Sequence, residues 1–160
     1  MLLSPTNVHG MLVHFPIALL FVSVFLDFVA LHPRLRIYLQ PAALITLLLG
    51  AVAAGLAVAS GPDNNARGVT PLVHLHENMA DLTLILFGAL ALWRLFLLWR
   101  RRPLGRITLA TYLLLALVGL GILSYTGYLG GEMVYQQAIG VSKNGQLISP
   151  PVTGPFNRGG

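Results

Sequence analysis

Four long apolar runs dominate the chain, at residues 11–31, 37–60, 72–99 and 106–128, and polar residues gather in the short stretches between them. Each run holds at least 21 residues, and a helix needs about 20 to cross a hydrocarbon core of about 30 Å. None alternates apolar and polar positions as a barrel strand does, and only helices or closed barrels satisfy every backbone group in lipid. The pattern predicts an all-α fold, a four-helix transmembrane bundle over residues 1–129, with an external C-terminal tail over 130–160. In the second run Gly50, Ala51, Ala54, Gly55 and Ala59 recur at small-xxx-small spacing, which lets helices approach closely in lipid. Packing within the bundle is their expected use, and a homodimer face the alternative.

Composition agrees, with 56% hydrophobic and 9% charged residues, where soluble domains carry about a quarter charged. Nucleic-acid binding is not expected despite the net charge of +5. The absence of cysteine excludes disulfides, iron–sulfur clusters and thiolate zinc. A cleaved signal peptide is not expected either, since the first ten residues hold no Lys or Arg and the first run exceeds an ordinary apolar leader.

Charge gives the bundle a direction. Arg34 and Arg36 separate runs one and two, and Arg100, Arg101, Arg102 and Arg106 separate runs three and four. The connection between runs two and three offers Arg67 against Asp63. By the positive-inside rule the arginine loops are cytoplasmic and both termini lie outside. Trp93, Trp99 and Tyr38 then form an inner interfacial belt, His32 is an interfacial residue, and Asp27 is an intrabundle partner for Arg94 or Arg34.

The candidate chemistry lies at the other end. His9, His14, His74 and His76 fall near the starts of runs one and three, which run in the same direction, and Ser124, Tyr125, Thr126 and Tyr128 close run four at the same level. On a helical wheel His74, Glu77, Asn78 and Asp81 share one face and His76 lies opposite. Keeping an ionised Asp81 from lipid favours turning that face, with His74, inward. Paired imidazoles from facing helices suit one b-type haem, with Arg67 on its propionates and Ser124 or Tyr125 orienting an imidazole. Two alternatives stand beside it. His14, His76 and His74 could hold a transition-metal ion together with Glu77 or Asp81, or the polar groups could bond only to one another and to water. No second histidine cluster exists, so electron transfer would be confined to the outer half. Enzyme catalysis has little support, because Ser4 and Ser124 lack a nucleophile-elbow context.

The opening HGMLVHFPIALLFVSVFLDFVAL resembles the start of the bacterial membrane family known as domain of unknown function 2231, with His9, His14, Phe15, Pro16 and Asp27 at matching positions. HENMADLTL resembles its third helix, with His76 at the recurrent histidine. GYLGGEMVYQQAIGV resembles its closing motif, here Gly130, Gly131, Val134, Tyr135, Gly140 and Val141. The similarity runs from about residue 9 to 141, with departures at Gly10, Ala138 and Ile139. It implies a four-span membrane protein, favours His14 with His76 as a working pair, and supplies no activity.

Together these readings describe a multi-pass protein of the bacterial inner membrane. It is expected to bind one haem b near its outer face and to pass electrons to a periplasmic protein or within a larger membrane complex. The alternatives are an accessory or scaffold subunit and a metal-ion-binding protein. Met133, Val134, Tyr135 and Ile139 form an apolar patch just past the last run, so residues 130–141 are expected to fold as a lid over the outer mouth. The stretch beyond Ser142 should be extended and ordered only by a partner.

Overall fold

The computed structural model describes residues 5–61, 70–102, 105–139, 141–143 and 146–147. The first span is two helices, α1 (Pro5–Leu12) and α2 (His14–Val29), separated at Val13. The break follows from Pro16, which has no N–H for the Leu12 carbonyl and whose ring crowds it. Three unbroken helices follow: α3 (Arg36–Ala59), α4 (Pro71–Trp99) and α5 (Arg106–Tyr135). Thr70 caps α4 by accepting from the Val73 N–H at 3.3 Å, with Pro71 in the first turn. Four segments are thus long and apolar enough to span a membrane, Val8–Val29 and the three long helices.

Packing closes these into a ring, α2 against α3, α3 against α4, α4 against α5, and α5 back against α2. Helices α2 and α4 are therefore diagonal. Leu20, Val24, Leu47, Phe87, Tyr112 and Ala116 are almost wholly buried along the axis. Phe15, Phe25, Val52, Ile85, Leu92 and Leu114 are exposed on the outside, an apolar surface suited to lipid tails rather than water. Two of the helix contacts depend on glycine. A Cβ at Gly50 would stand 2.7 Å from Leu20 Cδ2, and one at Gly119 would stand 2.9 Å from the Phe87 ring. Gly50 and Ala54 are buried and serve packing inside the bundle, Ala51 and Gly55 are half-buried, and Ala59 is exposed.

One polar network crosses this core. Arg94 Nη1 donates to both Asp27 carboxylate oxygens, at 2.8 and 2.7 Å, and Nη2 donates to the Gln40 carbonyl at 3.2 Å. The Tyr112 hydroxyl donates to Asp27 Oδ2 at 2.8 Å, and the Arg94 guanidinium lies 5.2 Å from the Tyr112 ring centroid. One contact from each of α2, α3, α4 and α5 meets here, and Arg94 rather than Arg34 is the partner of Asp27.

The last helix outruns its expected end at residue 128 and continues to Tyr135. Gly130 and Gly131 cost helix stability without breaking it, because neither adopts a positive φ. The first half of the expected lid is therefore straight helix, with Val134 and Tyr135 exposed rather than folded over the mouth. The chain turns away after Tyr135 through Ala138, which adopts φ 50°, with Ala138 N–H donating to Val134 O and Ile139 N–H to Met133 O. Beyond it, Ser142–Lys143 pairs with Gln146–Leu147 as a short antiparallel ladder. The Asn144-Gly145 pair between them is a hairpin signal in the sequence; the rest of the tail expected to be extended lies outside the described residues.

Candidate functional site at the histidine end

Four histidines reach the same end of the bundle, and each finds a different neighbour. His9, in the last turn of α1, bonds through Nδ1 to the Ala57 carbonyl at 2.9 Å and the Ser60 hydroxyl at 3.3 Å, which ties α1 to the end of α3. His14 opens α2 at the break, is exposed, and donates from Nδ1 to the Gly10 carbonyl one turn back, at 2.8 Å. His74 is exposed and lies 3.4 Å from Glu77 on its own helix. His76 is half-buried between α4 and α5, where Nδ1 donates to the Thr126 carbonyl at 3.0 Å.

Gly130 lies beside that ring. Its hypothetical Cβ would sit 3.4 Å from His76 Cε1, ordinary van der Waals contact, so alanine fits there and a side chain beyond Cβ would crowd the imidazole. This gives the first glycine of the closing pair a packing role, as a notch on α5 for a ring from α4. Thr83 Oγ1 and Thr126 Oγ1, 3.5 Å apart, continue the α4–α5 seam inward.

The wheel that turned His74 inward is corrected. His74, Asn78 and Asp81 are exposed on the outer side of α4, and His76 takes the inner position that the family resemblance favoured. The wheel assumed that Asp81 would otherwise face lipid. With 29 residues, α4 is about 43 Å long, roughly 13 Å more than the hydrocarbon core. Asp81 stands 18 residues from Trp99, about 27 Å along the axis. That places it near the far membrane boundary, where a carboxylate meets headgroups and water.

Ser124 donates to the Leu120 carbonyl of its own helix at 2.8 Å and is exposed. Tyr125 is exposed too, stacked on Tyr128 at 6.3 Å between ring centroids. Neither orients an imidazole here; one group that does so is the Thr126 main-chain carbonyl, which a reading of side chains does not find. Arg67 lies outside the described residues. Among the described residues no three His, Asp or Glu side chains converge as a metal-ion site.

Each carbonyl contact places a proton. A carbonyl oxygen only accepts, so Nδ1 of His14 and of His76 carries one. In the neutral form of either ring the lone pair then lies on Nε2, the atom that could ligate a metal.

No curated protein and no solved structure matches the chain. A family model does, the one described as "Predicted membrane protein (DUF2231)", over residues 5–143. With four membrane-length helices and a match across most of its length, the chain belongs to this family of membrane proteins.

Proposed function

We propose that the protein binds one b-type haem at its histidine end, which His14 and His76 would hold, and transfers electrons there as a small membrane subunit. The observation that carries this reading is a paired hydrogen bond: two imidazoles on diagonal helices, each with Nδ1 held by a main-chain carbonyl. Such hydrogen bonds orient metal-ligating histidines and raise their basicity. A site of two imidazoles suits haem, whose porphyrin supplies the other four nitrogens, better than a bare ion that needs three or more protein ligands. When bound, the haem supplies one-electron redox chemistry. The chain's own part is to hold the rings: the Gly10 and Thr126 carbonyls set their orientation, and Gly130 keeps space beside His76. Arg67, in the connection at this end, is the candidate cation for the propionates.

The six arginines at the opposite end support an orientation in the bacterial inner membrane with the histidine end and both termini on the periplasmic side. The partner is then a periplasmic electron-transfer protein or a larger membrane complex.

A second reading, an accessory subunit without a cofactor, is favoured by the filling of the bundle near this end, where Val73 is wholly buried and Leu129 is 3% exposed. One measurement separates the two. The optical spectrum of the full chain purified in detergent should show a Soret band that shifts on reduction, lost in His14→Ala and in His76→Ala and kept in His32→Ala. A normal spectrum in His14→Ala would remove α2 from the site. Protein without porphyrin would support the accessory subunit, or, if copper, zinc or iron co-purified, an ion site.

A further inference from the structure

We propose that the arginine end binds the phosphodiester headgroup of an anionic glycerophospholipid. Arg34, Arg36, Arg100, Arg101, Arg102 and Arg106 are all exposed at the ends of α2, α3, α4 and α5. The chain has five acidic residues. Among the described residues, Asp27 is the one acid near this end, and Arg94 already holds it. The ring order places the start of α3, the end of α4 and the start of α5 side by side, so guanidinium groups from three helices share one rim without an internal counter-charge.

The depth of that rim identifies the anion. Trp99, Tyr38 and Ile107 are 76%, 74% and 85% exposed at the same level, the position of an interfacial belt. Guanidinium groups just beyond such a belt meet headgroup phosphates, which their planar forks bind in bidentate fashion. The first turn of α5 has no side-chain cap, so its N–H groups add positive potential toward the same layer.

The backbone supplies an independent observation. Arg101 adopts φ 51°, and its N–H donates to Leu98 O while that of Arg102 donates to Leu97 O, at 3.0 and 2.9 Å. This is a Schellman termination, whose left-handed position ordinarily belongs to glycine. An arginine there bears a steric cost that glycine avoids, and strain of this kind collects where a side chain is needed.

Native mass spectrometry of the full chain tests the proposal, in neutral detergent with equimolar phosphatidylglycerol and phosphatidylcholine of the same acyl chains. Phosphatidylglycerol adducts should predominate, and each arginine changed to Gln at positions 100, 101 and 102 should lower the adduct ratio roughly fivefold. Arg101→Gly separates binding from folding, because it relieves the backbone yet removes the guanidinium; the ratio should fall while the thermal midpoint holds or rises. Equal adducts of both lipids, or a ratio unchanged in the triple Gln variant, would overturn the proposal. Displacement of phosphatidylglycerol by excess inorganic phosphate would do the same, since the site would then take free anions.

Discussion

An ionised carboxyl inside a membrane helix is costly and calls for a partner, which makes Asp27 the residue on which the bundle most depends. Its two oxygens accept from Arg94 and Tyr112, and Arg94 reaches on to the Gln40 carbonyl. Asp27→Leu should destabilise the protein by about 3–5 kcal/mol, because it strands a buried guanidinium. Joining it to Arg94→Met should recover much of the loss, as judged by unfolding in mixed micelles. Tyr112→Phe should cost about 1.5–3 kcal/mol through one hydrogen bond to a charged group. At the far end Ala138 holds a left-handed conformation that costs a non-glycine residue about 1–2 kcal/mol. Ala138→Gly should stabilise the terminus of α5 and slow amide exchange at Ile139, whose N–H closes that turn. The acid and its arginine were legible in the sequence, narrowed to Arg94 or Arg34. Tyr112 and Gln40 were not, because one chain carries no record of the register between helices.

The spans were legible as elements because nothing but a helix accommodates such runs in lipid; their ends and faces were harder to read. Two glycines read as the close of α5 lie inside it, and a carboxylate read as needing shelter lies outward. Both errors have one cause, that α4 and α5, with 29 and 30 residues, exceed the hydrocarbon thickness. Where the helix overshoots, the rule that polar faces turn inward lapses. With the arginine ends level, these two helices stand about 8 Å beyond the 24-residue α3. Helix contacts give further tests. Gly50→Ala and Gly119→Ala should each cost about 1–3 kcal/mol by overpacking Leu20 and Phe87. A Cβ at Gly88 would meet nothing within 4 Å, so Gly88→Ala should be neutral or stabilising by up to about 1 kcal/mol. Equal losses at all three positions would show that helix-wide rigidity, not local space, decides.

The described residues are polarised, with six exposed arginines at one end and His9, His14, His74 and His76 with Glu77 and Asp81 toward the other. A reporter fused after residue 160 should be active only in a form that works in the periplasm; cytoplasmic activity would invert the bundle and bring the histidines to the other face. The direction of the bundle was legible because charge asymmetry between connections needs no tertiary knowledge. The inward turn of His76 came from family likeness, and the Thr126 carbonyl that receives it came only with the fold. The Asp27–Arg94 bridge also has a history during synthesis. Its members are 67 residues apart, and a ribosome adding 5–20 residues per second needs about 3–13 s to cover that distance. For those seconds the first hairpin waits with an acid in or beside lipid and no counter-ion. The nascent chain must therefore keep that carboxyl protonated, or linger at the insertion machinery until α4 arrives. Release of the first hairpin into the bilayer is then timed by the appearance of one arginine.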